Sequence, residues 1–516
     1  MDRLPPEILS EIVSQLLAFR EGRYCIDRPK LASYAAINRE WQAVTERETF
    51  RHIKTNTDTL PELIPILSGA AGNQRIRSIR TLEFAYDLDV LVDIPSLNPT
   101  ERSELREQHR LQSESFSENM RMLFALLKGW EERLRGSEGV AGHQLCLNLG
   151  TMPPGGYHPF VAPSWVIAAR ANPPVPPSSM GEIFMPPRRA DAALDDPPYT
   201  PPVETFTRSH SRPWPEYFPK GIVGRPPDVD LRYIGEKLPE LSIVSSVAFF
   251  RGPYIHPDSM MQILSGMKRL NYFSGHLFEE SRALAHTREY RKVLARCLHL
   301  LPKSLRIFAP EFQPASNDEP QTWYSVLSDP WRDDLCISIQ TLSSQLQKLH
   351  LNGLRISPAI FAGDGGGSYP DWYRLEHITI TYPVISSTGQ WFANIGPHAE
   401  IDEDEFEPFG YDPDYDEIIF YSIPEPKLLN ELYVAAGKAR QHMPSLKSMK
   451  LKLSIDRSPH EFSYGFDSER NSITIAIKSR IAFEFSKEVA EAWGFSLDKV
   501  KSYMSSPINI TEVIVA

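Results

Sequence analysis

The sequence lacks most of the features that announce a cofactor, a disulfide framework or a membrane. Its 516 residues hold four cysteines, Cys25, Cys146, Cys297 and Cys336, far apart and with no C-x-x-C pair among them. Thiols this sparse cannot staple so long a chain, and they read as reduced core residues of an intracellular protein, cytoplasmic or nuclear. No run approaches the roughly 18 apolar residues of a membrane span, and no basic stretch followed by an apolar one precedes Leu4 as a secretory leader would. No membrane partner is expected.

Signatures of catalysis are missing as well. Fourteen histidines give no H-E-x-x-H pair and no Cys/His zinc spacing. There is no G-x-x-x-x-G-K-[ST] loop and no G-x-S-x-G elbow, and the glycine run GDGGGS at Gly363 leads straight into YPDW, as a flexible turn does, without opening a helix. No cysteine lies in a thiol-nucleophile signature. No catalytic residue, metal or cofactor is assigned, and the chain is not expected to be an enzyme. Basic charge is also in deficit, 55 Lys and Arg against 66 Asp and Glu for a net charge of -11. Phosphate-backbone binding needs a basic footprint, so nucleic acid is not an expected partner.

What the chain does have is apolar pattern. Hydrophobic residues make up 41% and aromatics 10%, enough for a sizeable core, and the length exceeds what one core serves. In MDRLPPEILSEIVSQL, Ile8, Ile12 and Leu16 recur at i, i+4 and i+8 beside Leu9 and Val13, which gives a broad apolar helix face. Pro5 and Pro6 suit a first turn whose N–H groups have no intrahelical partners, and Glu7 and Glu11 suit the positive helix start. After the polar REGRYCIDRPK, Leu31, Tyr34, Ala35 and Ile37 suggest a second short helix. Asn38 can cap a third that carries Trp41 and Val44, with Phe50 and Ile53 closing the unit. Three short helices bury little by themselves and need a partner surface.

Leu4-Pro5-Pro6-Glu7-Ile8-Leu9, then Ile12 and Leu16, then Ile37-Asn38-Arg39-Glu40-Trp41 and Phe50, resembles an F-box of the type common in filamentous fungi. It departs from that pattern by an insertion between Leu16 and Leu31 and by Phe50, where many members carry Trp. The resemblance implies that Leu4, Pro5, Ile8, Leu9, Ile12, Leu16, Ile37, Trp41 and Phe50 divide between contact with a Skp-type adaptor and packing of the helices. It further implies that the adaptor links the chain to a cullin, while the rest of the chain recruits a protein substrate of unknown identity. The bland reading of the same residues is a helical pair packed on its own protein.

Through the body a frame of the form apolar-x-x-apolar-x-apolar recurs without strict period. It is found in IRTLEF (Ile79, Leu82, Phe84), VSSVAF (Val244, Val247, Phe249), LRIFAP (Leu305, Phe308), LQKLHL (Leu346, Leu349, Leu351), LEHITI (Leu375, Ile378, Ile380) and LKSMKL (Leu446, Met449, Leu451), and more weakly in LNYFSG (Leu270, Phe273). Such a frame suits a short strand whose alternate residues point inward while the leading residue fills the preceding turn. Helical spacing separates several frames, at Met120, Leu123, Phe124, Leu127, Trp130 and Leu134 and again in HTREYRKVLARCLHLLP. Strand then helix, repeated, is the logic of a leucine-rich-repeat solenoid, although the frame also arises by chance in strands of other α/β folds.

Two segments interrupt the pattern. Thr151 to Asp228 is proline-dense, which excludes regular helix and central strand and leaves an extended insert or a linker. Glu400 to Glu417 is acidic and interleaved with aromatics, readable as a docking loop or, more simply, as a solvated one. Towards the C-terminus, alternation over Ile473, Ile475 and Ile477 and over Ile481, Phe483 and Phe485 reads as strands, followed by a helix at KEVAEAWGF and a strand at INITEVIV.

The expected fold class is therefore α/β. A three-helix F-box (1–54) precedes leucine-rich-repeat-like units (55–150), a proline-rich insert (151–230), an irregular leucine-rich-repeat-like βα solenoid with an acidic loop at 400–417 (231–455), and a C-terminal α+β cap (456–516). The expected function is substrate recognition in an SCF-type (Skp–cullin–F-box) ubiquitin ligase; the alternative is a scaffold with no ligase role.

Overall fold

The computed structural model describes residues 5–18, 34, 37–87, 99–135, 143–152, 231–250, 255–278, 284–313, 325–329, 332–362, 369–395, 422–454, 460–505 and 508–515. The chain is mixed α/β, with ten α-helices among the described residues. It divides into two units, one formed by 1–229 with 239–247 and the other by 230–238 with 248–516.

In the first unit the elements are α1 (Pro6–Ala18), α2 (Arg39–Arg51), β1 (His52–Asn56), α3 (Leu60–Ile66), α4 (Gly69–Ser78), β2 (Thr81–Asp87), α5 (Pro99–Arg135), β3 (Leu145–Met152) and the start of β4 (Val244–Phe250). Strands β1, β2 and β3 are parallel neighbours in chain order, Thr81 pairing with His52 on one side and Cys146 on the other. The expected helix face on α5 forms: Met120, Leu123, Phe124, Leu127, Trp130 and Leu134 are all buried, and Phe116 extends the stripe. Glu131 is buried within this helix, where its carboxylate accepts the Ser242 N–H at 2.6 Å and pairs with Lys128 and Arg135.

The second unit contains α6 (Pro257–Ser265), β5 (Tyr272–Phe278), α7 (Leu284–Cys297), β6 (Ile307–Gln313), α8 (Asp334–Ser343), β7 (Lys348–Asn352), β8 (His377–Pro383), the short pair β9 (Ala393–Ile395) and β10 (Ser422–Pro424), α9 (Pro426–Arg440), β11 (Ser448–Ser454), β12 (His460–Asp467), β13 (Ser472–Ser479), α10 (Lys487–Trp493), β14 (Lys501–Ser505) and β15 (Ile508–Val515). The strand order is β5-β6-β7-β8-β11-β12-β13-β15-β14. From β5 to β11 every neighbour is parallel, and from β11 onwards every neighbour is antiparallel. Among the described residues the sheet does not close into a barrel, since β1 and β14 are edge strands.

The sequence frames are structural repeats. Leu270, Leu305, Leu346, Leu375 and Leu446 are all buried, and each donates its N–H to the carbonyl three residues earlier, closing a tight turn before the strand. One residue later the backbone makes a ladder: Arg306 N–H to Asn271 C=O, Gln347 to Arg306, Glu376 to Gln347 and Lys447 to Glu376, all between 2.7 and 2.8 Å. In the first unit Ile79 closes the same kind of turn, and Arg80 and Cys146 continue a ladder from Arg51. Because successive parallel neighbours advance in one direction and crossovers are right-handed, the connecting helices fall on one face of the sheet. Alternation confirms that face on β7, β8 and β11, where Leu349, Leu351, Ile378, Ile380, Tyr382, Met449, Leu451 and Leu453 are buried.

The repeats are also tied by a buried polar junction. Asp333 caps α8 through the Cys336 N–H at 3.2 Å and accepts from Arg291 of α7 at 2.9 Å, Ser357 at 2.9 Å and Ser387 at 2.6 Å. Burial alone would raise its pKa, but Arg291 and the hydrogen bonds from Ser387 and Cys336 outweigh burial and hold the carboxyl below its usual range. One side chain thus joins segments that follow β5, β6, β7 and β8, and every lone pair it brings into the interior has a donor.

Two expectations are corrected here. The three-helix N-terminal unit does not form as a separate bundle: α2 leads directly into β1, and Ile53, expected to close the bundle, is instead a buried sheet residue. Of the helix expected at Leu31–Ile37, Tyr34 is helical and Ile37 is a bend, while Leu31 and Ala35 lie outside the described residues. Ile481, Phe483 and Phe485 do not form a strand. Phe483 and Phe485 are drawn into the core, Phe483 edge-on to Tyr433 and His460 and Phe485 against Phe495, so their alternation reflects packing without a ladder. The GDGGGS turn, the acidic segment 400–417 and the proline-rich insert beyond Met152 lie outside the described residues.

Asp333→Ala leaves the Arg291 guanidinium buried without its carboxylate, and removal of one partner of a buried pair costs about 3 to 5 kcal/mol. Urea denaturation of the full chain should show a loss of that order, with a smaller loss for Asp333→Asn; an unchanged midpoint would contradict the role given to this junction.

Candidate functional site

The first candidate surface is the α1–α2 pair. Asn38 caps α2 by accepting the Trp41 N–H at 2.9 Å, which fixes the turn where Trp41 enters the helix. Leu9 and Val13 of α1 meet Trp41 and Val44 of α2 in a small core of their own, with Ile12 and Tyr34 packed against it and the Tyr34 ring stacked on Trp41 at 6.0 Å. Ser10 links the helices further, accepting from Arg47 at 2.7 Å and lying 3.3 Å from Glu48.

The motif residues therefore separate. Leu9 and Trp41 are buried within the pair, and Ile12 is half-buried against them. Pro5 is exposed, Ile8 is 48% exposed and Ile37 is 55% exposed. Phe50 is half-buried, under the Arg75 guanidinium at 5.0 Å. Arg75 also donates to Glu46 at 3.2 and 3.3 Å, and these bonds hold the Glu46 carboxyl below its ordinary range. Leu4 and the side chain of Leu16 lie outside the described residues.

The second candidate surface is the polar face of the second unit's sheet, opposite the helices. Register places Lys348, His377 and Ser448 in one row across β7, β8 and β11. The next row runs His350, Thr379, Lys450 and Ser463, and the third runs Asn352, Thr381, Lys452, Glu461 and Lys478. Lys450, Lys452 and Lys478 are exposed. The His377 Nδ1 lies 2.9 Å from the Ser448 hydroxyl. His350 has a buried Nε2 without a hydrogen-bond partner among the described residues. Burial first, and then the charges of Lys348 and His377, push its pKa down to about 3, so this face already opposes a further positive charge.

Residues 421–510 match the profile of DUF6546, a family of unknown function. No curated protein matches the chain. The DUF6546 segment begins before α9 and runs into β15, so it holds the change from parallel to antiparallel pairing and the exposed lysines of β11 and β13. Its interior is an aromatic cluster around Tyr433 of α9. The Tyr433 hydroxyl lies 2.8 Å from His460 Nε2, and His460 Nδ1 lies 3.1 Å from the Ser479 hydroxyl, so both ring nitrogens of a neutral imidazole are satisfied. Trp493 of α10 donates its indole N–H to the Tyr433 carbonyl at 2.9 Å. A Cβ on Gly437 would stand 2.7 Å from the Trp493 ring, which is why α9 carries glycine in mid-helix.

Chemically, both surfaces are suited to contact. Cys146 and Cys297 are raised to about 11, chiefly by burial, and Cys336 is raised well above an ordinary thiol, so all three are held protonated. Among the described residues no group of three or more His, Cys, Asp and Glu side chains is placed to hold a metal, and no helix is long and apolar enough to cross a membrane. Sequence reasoning missed the lysine face. Its signal was the period-2 alternation of MKLKLS, in which Lys450 and Lys452 fall between Met449, Leu451 and Leu453. Locally Asp333 offered only a helix cap at the Cys336 N–H, and His460 offered nothing, since the partners that join Asp333 to other repeats and both partners of His460 lie about twenty or more residues away.

His460 is fully buried, and burial holds its pKa near 4. In the unfolded chain it titrates near 6.5, so the unfolded state takes up the proton first as pH falls. The stability contributed by the neutral ring is complete above about pH 6.5 and declines towards pH 4, by roughly 3 kcal/mol in all. Denaturation midpoints measured from pH 7.5 to 4.5 should fall more steeply for the wild type than for His460→Gln; parallel slopes would exclude this ring as a source of acid sensitivity.

Proposed function

We propose that the chain is a substrate-recognition subunit of an SCF-type ubiquitin ligase, in which the α1–α2 pair engages a Skp-type adaptor and the strand–helix repeats, read as leucine-rich-repeat-like, engage a protein substrate. The observation that carries this reading is the division of the motif: Leu9 and Trp41 give the helical pair its own small core, while Pro5, Ile8 and Ile37 stay exposed. Exposed apolar side chains on a pre-packed helical pair suit a partner surface, because docking removes apolar area from water without reordering the pair. The repeats support the second half, since their uniform turns hold a polar sheet face in place. The chain's role would be proximity: it raises the effective concentration of a substrate lysine near a ligase supplied by other subunits.

A second reading, a scaffold with no ligase role, draws on the contacts of Arg75 with Glu46 and Phe50, which fasten α2 to the first unit's own body. The two readings separate experimentally. A Pro5→Ala/Ile8→Ala/Ile37→Ala variant should lose at least tenfold in recovery of the adaptor by pull-down while its thermal midpoint stays that of the wild type. Equal recovery by both proteins, or none by either, would sink the ligase reading. Aggregation of the chain after deletion of residues 1–50, which stops short of β1, would favour the scaffold.

A further inference from the structure

The chain as a whole is acidic, with a net charge of -11, yet the three register rows of the polar face from β7 to β13 hold four lysines and a single glutamate. The lysines are Lys348, Lys450, Lys452 and Lys478, and the acid is Glu461. None of the four ammonium groups has a hydrogen bond or ion pair among the described residues. Glu461 stands opposite Lys452 on one side and Lys478 on the other without closing a salt bridge to either. From β7 to β13 the face thus carries more lysine than acid, although the chain has acids in excess; the next carboxylates on it, Glu311 of β6 beside Asn352 and Glu512 of β15 beside Ala476, stand at its two margins.

We infer that this face, centred on the β11 to β13 strands of the DUF6546 segment, is a docking surface for an extended acidic peptide of a partner protein. Lys450 and Lys452 are alternate residues of one strand, so their side chains stand about 6.6 Å apart. Alternate carboxylates of an extended peptide share that spacing, and a peptide laid along β11 brings successive acids over both lysines. Lys478 lies two strands away in the row of Lys452, about 10 Å off, and Lys348 two strands away on the other side but one row from Lys450, about 12 Å off, where they widen the positive field and draw in flanking acids. Nucleic acid is the poorer fit. These rows contain no arginine to fork a phosphate and no phenyl, phenol or indole ring on which a base could stack.

This assignment names the ligand class for the repeat-region half of the proposed function and does not depend on the adaptor half, so its test leaves the adaptor out. A short fluorescein-labelled peptide alternating aspartate with serine is titrated into the full-length chain by fluorescence anisotropy, at low and at physiological salt. The wild type should bind, more weakly at higher salt. Lys450→Glu/Lys452→Glu should weaken binding by roughly tenfold or more, whereas Lys303→Glu/Lys487→Glu, which changes net charge equally at exposed sites off this face, should change it less than about twofold. Thermal midpoints of both variants check that each is folded. Absence of binding by the wild type, equal weakening by the two double variants, or tighter binding of an oligothymidylate of the same charge would each overturn the assignment, while leaving the adaptor pull-down to be judged separately.

Discussion

Five leucines at equivalent points, Leu270, Leu305, Leu346, Leu375 and Leu446, set the geometry on which the second unit depends. Each is buried in a turn that it closes with its own N–H, and each is followed by a residue whose backbone continues a ladder from one repeat to the next. The turn fixes where a strand starts, and a fixed start fixes register. Register decides which side chains face the helices, because a slip of one residue would exchange the two faces of every strand. The Asp333 junction acts at the same level, joining successive segments through one carboxylate whose donors come from different repeats.

From that constraint follows a division of labour between faces. The helix-bearing side is a continuous apolar layer, and the opposite side is polar, reaches solvent on β11 and β13, and carries an unneutralised group of lysines. At β11 the pairing changes from parallel to antiparallel without changing the faces, since Leu451, Phe462 and Ile477 share one row and Lys452, Glu461 and Lys478 the next. The DUF6546 match spans this change. Its interior is fastened by Tyr433, His460 and Trp493, so the surface strands rest on a tightly packed aromatic layer. In the first unit the α1–α2 pair has a comparable economy: a few buried residues hold two helices together and leave other apolar residues outward.

Much of the repeat architecture was legible in the sequence because it rests on period-2 alternation and a leading apolar residue, both local signals. The frames at Ile79, Leu305, Leu346, Leu375 and Leu446 each became a turn and a strand, and even the weak LNYFSG frame did so. The helix at Met120 to Leu134 was legible for the same reason. What escaped was determined by distant partners. Phe483 and Phe485 alternate as strand residues do, but the pull of Tyr433, His460 and Phe495 overrode pairing. The third-helix boundary was right at Asn38, whereas the bundle was not, because nothing near Phe50 announces that the chain turns into a parallel strand beside Thr81. Of the motif residues, their spacing alone could not say that Ile8 and Ile37 stay outward while Leu9 and Trp41 turn inward.

The most direct test of this two-faced sheet is a serine scan along β11, with each variant of the full chain compared by thermal and urea denaturation. Met449→Ser, Leu451→Ser and Leu453→Ser should each lower stability by about 2 to 5 kcal/mol, as loss of a large buried side chain does, whereas Lys450→Ser and Lys452→Ser should fall within about 0.5 kcal/mol of the wild type. Comparable losses at the lysine positions, or tolerance at the apolar ones, would contradict the account.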